Sequence, residues 1–248
     1  MNVIRTVLLV IEIIITAVVT LPYMLVALIV GLFSMKARDK MCFGAMRFEF
    51  SILKILTGAR MHLTGLENVP KDEPVLYIGN HRSMFDIIMP YYLFPGYTSM
   101  ISKKEWEKIP FLAWWMKLLH NFFLDRDDVK QGLKVILAAI DLVKNGYSVC
   151  IFPEGTRNKT EEDMLPFHEG SFKIAVKSGC PIIPVTMYNM DALLKHPPIV
   201  KASDIYIDFG KPIRIGELAP EEKKHIGAYT RGVMLETYNK LKEEADLK

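Results

Sequence analysis

An apolar run near the N-terminus constrains this chain more than any other feature of its sequence. The run extends from Val7 to Phe33. Only five of its 27 residues fall outside the apolar set: Glu12, Thr16, Thr20, Pro22 and Gly31. A cleaved secretory signal has a shorter apolar core and a small-residue cleavage site, so we expect this segment to be retained. It predicts a membrane anchor, because a straight helix of this length reaches about 40 Å, beyond the roughly 30 Å of a bilayer's hydrocarbon core.

Pro22, near the middle of the run, leaves two topologies open. Proline lacks an N–H group and clashes with the preceding helical turn, so it favours a kink. The segment is interpreted either as a tilted, kinked helix that crosses the bilayer or as a helix bent within one leaflet. A basic stretch follows at once, and this favours the second arrangement.

The stretch 36–60 is basic, with six Lys or Arg residues against two acidic ones. Lys36–Thr57 mixes these charges with apolar side chains, a pattern typical of a helix in the headgroup plane of an anionic membrane. A helix packed on a globular domain would give the same pattern. Only Arg5 precedes the apolar run, whereas several cations follow it, so the positive-inside rule predicts that residues 35–248 face the cytoplasm.

Charge and cysteine content narrow the class of the remaining chain. The chain carries +3 overall and residues 1–60 carry +4, so residues 61–248 sum to −1, which argues against a nucleic-acid-binding protein. One apolar run is too little for a multi-spanning transporter. The three cysteines form no C-x-x-C pair, and their odd number predicts buried thiols rather than a disulfide framework.

From about residue 57 onward, apolar runs alternate with helical patterns. The predicted strands are Val75–Gly79, Tyr97–Ile101, Phe122–Leu124, Ser148–Phe152, Ile182–Met187 and Asp204–Phe209. The predicted helices are Ser83–Leu93, Lys104–Leu119, Val129–Asn145, Gly170–Ser178 and Pro220–Glu244. This alternation predicts one layered α/β domain over residues 59–248, in which helices flank a largely buried mixed sheet. Residues 1–58 form the N-terminal membrane-anchoring helices in this interpretation.

His81 and Asp86 stand just after the first of these predicted strands. Ser83 with Asp86 three residues later fits a capping box, which places His81 before the helix. From there the imidazole can reach the Asp86 carboxylate, which fixes its tautomer and leaves the other ring nitrogen as a general base. A plain helix cap with an incidental histidine fits the same residues.

A second pair with the same spacing is interpreted as coincidental. His120 and Asp125 are separated by the predicted strand Phe122–Leu124. If that segment is extended, the two residues lie about 16 Å apart, so their side chains cannot meet.

Polar residues also follow three other predicted strands. They are Lys103-Lys104, Asp125-Arg126, and the turn Pro153-Glu154-Gly155-Thr156-Arg157. A guanidinium at such a position can bind a phosphate through two hydrogen bonds, although an internal ion pair of Glu154 with Arg157 or a solvated pair fits equally well. Because α/β sheets place ligand sites at the carboxyl ends of their strands, we expect these residues to converge near His81.

Signatures of other chemistries are missing from the sequence. It contains no P-loop, no G-x-G-x-x-G, no G-x-S-x-G and no H-E-x-x-H motif, and no cluster of His and Cys with the spacing of metal ligands. The sequence therefore predicts neither a covalent serine or cysteine mechanism nor a metal site.

Four ordered segments between about residues 75 and 187 resemble the blocks of the glycerolipid acyltransferase family, in particular its lysophosphatidic acid acyltransferases. They are Asn80-His81 with Asp86 (the H-x4-D block), Phe123–Arg126, Phe152–Arg157 and Ile183-Pro184-Val185. Lys103 also stands where the family usually carries a lysine. Two residues depart from the usual pattern: Trp106 where leucine is common, and Ala113 where many members have glycine. Both departures concern the expected rim of the site.

The resemblance implies acyl transfer from a thioester, acyl-CoA or acyl-carrier protein, to the 2-hydroxyl of lysophosphatidic acid, giving phosphatidic acid for phospholipid synthesis. It implies that His81 is the general base and that Asp86 orients it. It assigns the substrate phosphate to Arg126, Glu154, Gly155 and Arg157, with Lys103 as a further partner, and the acyl-donor site to Pro184. Backbone N–H groups near Ser83 are candidates to bind the thioester oxyanion. No metal or bound cofactor is implied, and the catalytic domain is expected at the cytoplasmic face of the cell membrane.

Three other functions remain open at this point. An acyltransferase for glycerol 3-phosphate or another lysophospholipid would use the same groups, although the membrane anchor favours a lipid acceptor. A membrane-bound acyl thioesterase would activate water, which gives the arginines nothing to bind. A non-catalytic lipid-binding module would not need the His81 and Asp86 pair.

Overall fold

The N-terminal third of the chain begins with a helical hairpin. In the computed structural model, which describes residues 1–194 and 199–247, α1 (Asn2–Phe33) continues through Pro22 as one helix. Ser34 is extended, and its side chain accepts a hydrogen bond from the Ala37 N–H at the start of α2 (Met35–Thr57). Gly58, in the left-handed conformation that favours glycine, ends α2. The two helices pack along each other, so the chain reverses direction at Ser34.

α1 has the length and composition of a membrane helix and is the one such helix among residues 1–194 and 199–247. Only 11% of its most apolar stretch is buried, whereas the core helix of a soluble protein is mostly buried. This exposure favours membrane association. Whether α1 crosses both leaflets or lies within one stays a prediction.

The sheet has seven strands in the order β1-β7-β6-β2-β5-β3-β4. The strands are β1 (Arg60–Thr64), β2 (Leu76–Gly79), β3 (Thr98–Lys103), β4 (Phe122–Leu124), β5 (Ser148–Ile151), β6 (Ile182–Tyr188) and β7 (Asp204–Phe209). Strands β6, β2, β5, β3 and β4 run parallel to one another, and β7 runs antiparallel to β6. The predicted α/β fold around a mixed sheet is confirmed, and the parallel strands end at one common edge.

Helices cover both faces of this sheet. They are α3 (Phe85–Tyr91), α4 (Pro110–Leu118), α5 (Val129–Lys144), α6 (Lys173–Ser178), α7 (Pro220–Lys224) and α8 (Ile226–Asp246). One core joins α2, α3 and α4 to the sheet through residues such as Phe43, Met89 and Trp115. The other core joins α5, α6 and α8 to it through residues such as Val135, Ile174 and Met234. α2 is therefore packed on the domain, the second of the two arrangements that its sequence allowed.

Several element boundaries differ from the sequence prediction. Strand β1 was not predicted, because it is a short edge strand whose side chains are only partly buried. The predicted helix Lys104–Leu119 begins as a 3-10 turn, and α4 starts only at Pro110, where a proline is tolerated in the first helical turn. The predicted helix Pro220–Glu244 is divided at His225.

A buried polar cluster fixes α2 to the domain. Asp39 is fully buried and accepts hydrogen bonds from Arg38 (2.7 Å) and Tyr147, and His120 Nε2 lies 3.1 Å from its Oδ2. Burial alone would raise the pKa of Asp39, but the hydrogen bonds from Tyr147, Arg38 and His120 together lower it below the usual value. Asp125 instead pairs with Lys104, so the His120 and Asp125 spacing is coincidental, as predicted.

The three cysteines are buried and unpaired, which confirms the sequence prediction. Burial raises the pKa of each thiol, so none resembles an activated nucleophile.

Candidate active site

A cavity of about 660 Å³ opens at the edge where the parallel strands end. Four of the predicted site residues line it: His81, Lys103, Arg126 and Arg157. The rest of its wall is mostly apolar and comes from α2, α3 and α4, including Met46, Phe50, Ile88, Met116 and Leu112. The expected convergence of polar strand ends near His81 is therefore present, and it faces an apolar chamber.

His81 and Asp86 form a hydrogen-bonded pair just after the carboxyl end of β2. His81 Nδ1 lies 2.8 Å from Asp86 Oδ2, and the carboxylate is 1% exposed. The His81 ring stacks on Phe152 with its centroid 4.5 Å away. Among the described residues, no group hydrogen-bonds His81 Nε2. When Nδ1–H donates to Asp86, the proton of the neutral ring is on Nδ1. Nε2 then has a free lone pair and can accept a proton.

Asp86 also organises the backbone between β2 and α3. Its Oδ2 accepts the N–H groups of Arg82 and Ser83, each at 2.6 Å. The predicted helix start was wrong: α3 begins at Phe85, and Ser83 Oγ accepts the Phe85 N–H rather than capping from the N-cap position. Because both of these backbone N–H groups bind the carboxylate, they are not available to an oxyanion, and the expected oxyanion contact from other N–H groups near Ser83 stays a prediction.

Asn80 holds the end of β2 in place from behind. Its side chain donates to the carbonyl of Met187 (2.9 Å) and accepts the Met187 N–H (2.8 Å), which extends the pairing between β2 and β6 by one step. Sequence reasoning did not assign this role, although Asn80 stands directly before His81. A polar side chain that ends an apolar strand next to a functional residue is the signal that points to it.

Glu154 supports the same turn from β5. It is 4% exposed; Oε1 accepts the His81 N–H (2.7 Å) and Oε2 accepts the Leu165 N–H (3.0 Å). Burial raises the pKa of Glu154 above its usual value, and these two N–H groups oppose the rise. The carboxylate therefore binds backbone rather than Arg157, so the internal ion pair considered from the sequence is not formed. Gly155 follows with φ +69°, close to the ring of His168.

The cationic side chains of the site differ in whether they form hydrogen bonds or ion pairs with other side chains. Arg126 and Arg157 are exposed, and within residues 1–194 and 199–247 neither donates a hydrogen bond or forms an ion pair. Lys103 pairs with Glu105 at 2.6 Å. Lys159 also lines the cavity, and sequence reasoning missed it although it lies two residues after Arg157. The cavity rim can therefore hold an anionic group.

The remaining sequence expectations fall elsewhere. Pro184 lies buried in β6 opposite Ile78 and does not line the cavity. Trp106 lines it, whereas Ala113 is buried in α4. In the described part of the chain, no group of three or more His, Cys, Asp or Glu residues is arranged to hold a metal ion.

Comparisons with known proteins show which family the chain belongs to. The model of the family described as Acyltransferase matches residues 60–188, just over half of the chain. A 1-acyl-sn-glycerol-3-phosphate acyltransferase of Saccharomyces cerevisiae is 32% identical over 200 residues, covering 79% of this chain and 65% of that protein. One from Borreliella burgdorferi is 29% identical over 204 residues, covering 82% of this chain and 81% of that protein.

A solved structure gives the same fold over nearly the whole chain. The crystal structure of the 1-acyl-sn-glycerophosphate (LPA) acyltransferase PlsC from Thermotoga maritima superposes with a TM-score of 0.77 at 24% identity. The match covers 98% of this chain and 99% of that one, so it includes the helical hairpin as well as the sheet.

Proposed function

The chain belongs to the acyltransferase family, and on that premise we propose that it transfers an acyl chain from a thioester to the 2-hydroxyl of lysophosphatidic acid. The products would be phosphatidic acid, for phospholipid synthesis, and the free thiol. The relatives named 1-acyl-sn-glycerol-3-phosphate acyltransferase support this acceptor. One observation carries the proposal. His81, whose Nδ1 is paired with Asp86, lines a cavity that has an apolar wall and a rim of cationic side chains.

His81 is the general base in this proposal. Its Nε2 takes the proton of the acceptor hydroxyl as the oxygen attacks the thioester carbonyl carbon. Asp86, bonded to Nδ1, stabilises the imidazolium that forms. When the tetrahedral intermediate collapses, the carbon–sulfur bond breaks and the imidazolium returns its proton to the leaving thiolate. Glu154 keeps the His81 backbone in register through its N–H.

Arg157 and Arg126 bind the acceptor phosphate in this proposal. Both guanidinium groups lie on the cavity rim without a protein partner in the described part of the chain, and planar guanidinium groups bind phosphate through paired hydrogen bonds. Lys103 adds positive charge, partly balanced by Glu105. Gly155 lets the loop turn beside Arg157. Pro184 is assigned to the acyl-donor side of the site rather than to the phosphate, since it lies in β6 next to β2, the strand that precedes His81.

The apolar wall of the cavity takes an acyl chain. Its size lies within the range of small-molecule sites, and its lining by Phe50, Ile88 and Met116 suits hydrocarbon rather than a polar group. A thioesterase would need the apolar wall but not the cationic rim, so the rim favours a phosphorylated acceptor.

The membrane supplies the acceptor. α1 exposes an apolar surface, which supports membrane association, and the cations that follow it support a position of the catalytic domain on the cytoplasmic face of the cell membrane. An acyl-CoA or acyl-carrier-protein donor reaches that face from the cytoplasm. No metal or bound cofactor has a step in this mechanism.

An acceptor panel tests the proposal. Purified protein in detergent is given acyl-CoA with lysophosphatidic acid, glycerol 3-phosphate or lysophosphatidylcholine, and the products are identified by mass spectrometry. We expect kcat/KM for lysophosphatidic acid to exceed that of the others about tenfold or more, because only this acceptor has both an acyl chain and a terminal phosphate. If glycerol 3-phosphate or lysophosphatidylcholine were acylated in preference, the proposed acceptor would be wrong.

A further inference from the structure

Arg231 lies in α8, on the side of the sheet opposite α2 and α4, yet hydrogen bonds lead from it to His81. Its Nε donates to the carbonyl of Leu165 (3.0 Å) and its Nη2 donates to the carbonyl of Met164 (2.5 Å). These two residues belong to the loop that follows Arg157. Met164 is fully buried, so this part of the loop is a fixed part of the core.

One peptide unit joins Arg231 to Glu154. The carbonyl of Met164 accepts from Arg231, and the N–H of the same peptide, that of Leu165, donates to Glu154 Oε2 at 3.0 Å. A cation at the oxygen end and a carboxylate at the hydrogen end both polarise that peptide. Hydrogen bonds that polarise one another in this way are stronger than isolated ones, particularly in a buried setting.

The other oxygen of Glu154 connects this chain of bonds to the reacting group. Oε1 accepts the His81 N–H at 2.7 Å, and the carbonyl of His81 accepts the Asn158 N–H at 2.6 Å. The peptide backbone of His81 is thus held on both sides by the segment 154–165. A shift of Glu154 would move His81 relative to Asp86 and the cavity.

The position of Arg231 is set independently of the loop. Glu169 accepts the N–H groups of Gly227 (3.0 Å) and Ala228 (3.3 Å), which fixes the first turn of α8. Further along α8, Lys242 pairs with Asp163 of the same loop at 3.6 Å, with both side chains exposed. α8 therefore contacts the loop twice, once through Arg231 in a partly buried place and once through a surface ion pair.

We propose that Arg231 is a positioning residue, which keeps Glu154 aligned on the His81 backbone through the Met164–Leu165 peptide. Its role rests on the proposed function only where activity is the readout. No contact between Arg231 and substrate is involved.

The charged groups around Glu154 determine how its pKa would respond to the loss of Arg231. Burial raises the pKa of Glu154, the imidazole of His81 opposes that rise, and the Asp86 carboxylate adds to it. The ring of His168 lies against the adjacent Gly155, and Arg82 binds the loop at the carbonyls of Thr160 and Glu162. Loss of Arg231 would remove the polarisation of the Met164–Leu165 peptide and so weaken the Leu165 N–H bond, which favours the carboxylate form of Glu154. Protonated Glu154 would then appear at a higher pH.

The first test compares pH profiles of Arg231→Gln, Arg231→Lys and the control Lys242→Met. For Arg231→Gln we expect kcat/KM to fall about tenfold on the acidic limb of the wild-type profile and to recover to within about threefold on its plateau, because that limb moves to higher pH. Arg231→Lys, which keeps the charge, should restore most of the loss at low pH. Lys242→Met should behave as wild type. A loss in Arg231→Gln that is equal on the acidic limb and on the plateau would overturn the proposal.

The second test uses unfolding rather than activity, so it stands even if the acyltransferase proposal fails. The melting temperatures of Arg231→Gln, Glu154→Gln and the double variant form a cycle with wild type. We expect Arg231→Gln to lower the melting temperature in both backgrounds, because its own bonds to the loop are lost in each, and to lower it distinctly less in the Glu154→Gln background. Equal effects in both backgrounds would show that Arg231 acts only on the loop, and the proposal would be wrong.

Discussion

His81 Nδ1 lies 2.8 Å from Asp86 Oδ2, and the same oxygen accepts two backbone N–H groups. The carboxylate therefore orients the imidazole and at the same time holds the turn that carries it. This double use ties the chemistry of the site to the start of α3. It also means that variants at the two residues have different expected consequences.

Replacement of His81 by alanine should remove the chemical step and leave the fold intact. We expect kcat to fall by about 10²–10⁴-fold, the usual contribution of a general base, with the acceptor KM little changed. Steady-state kinetics with matched melting temperatures checks this. His225→Ala is the control and should keep full activity, because His225 is exposed between α7 and α8 and does not line the cavity. A folded His81→Ala protein with wild-type kcat would exclude the general-base role.

Replacement of Asp86 by asparagine should reduce both activity and stability. The amide cannot stabilise the imidazolium as a carboxylate does, and it weakens the hydrogen bonds from Arg82 and Ser83. We expect kcat to fall by about 10²-fold and the melting temperature to drop, measured on the same preparation. Retention of wild-type kcat would leave Asp86 with a purely structural role.

Replacement of Arg157 by alanine should weaken acceptor binding. A charge-assisted bond to phosphate contributes about 1.5–3 kcal/mol, so the acceptor KM should rise roughly 10–100-fold. The KM for the thioester should change little. Lys134→Ala, at an exposed site on α5, is the matched control and should alter neither constant. An unchanged acceptor KM in Arg157→Ala would remove this residue from phosphate binding.

Reduction of the cavity volume should change the acyl chains that are accepted. Ile88→Trp adds bulk to the apolar wall, so long acyl thioesters should lose activity more than short ones. Competition between two chain lengths in one reaction measures the ratio directly. Leu137→Trp, at an exposed site on α5, should leave the ratio at its wild-type value. A loss that is equal for both lengths would place the acyl chain elsewhere.

Removal of Asp39 should destabilise the attachment of α2 to the domain. Asp39→Ala leaves Arg38, His120 and Tyr147 without their acceptor, and we expect a loss of about 3 kcal/mol. Because the folded-state pKa of Asp39 lies below its usual value, its contribution is present above a pH of about 4 and fades as the pH falls through the folded-state value. Unfolding curves from pH 3 to 7 check this. In Asp39→Ala this part of the pH dependence should disappear, whereas Asp141→Asn, at an exposed site, should retain it.

Much of the fold follows from local patterns in the sequence. Phe122–Leu124 and Asp204–Phe209 are predicted with the bounds that the structure has, because each is a short apolar or alternating run between polar residues. Arg60–Thr64 was missed, since its strand character depends on pairing with β7 rather than on its own residues. The break at Pro110 shows how a residue that permits a helix start can also divide a longer helical pattern.

The site was predictable in its residues and less so in its contacts. The positions of His81, Arg126 and Arg157 on one cavity follow from parallel strands that end together. The partners of Glu154 did not follow, because Leu165 reaches it through a loop whose path is set by packing of Met164 and by Arg231 in α8. Contacts between segments this distant leave no local pattern.

Acyl transfer by this protein is tested most directly by the release of thiol from an acyl thioester, followed with and without lysophosphatidic acid. Purified protein in detergent is given acyl-CoA, and free thiol is measured over time alongside phosphatidic acid. We expect release only when the acceptor is present, with one phosphatidic acid formed per thiol. Equal release without acceptor would contradict acyl transfer and identify a thioesterase.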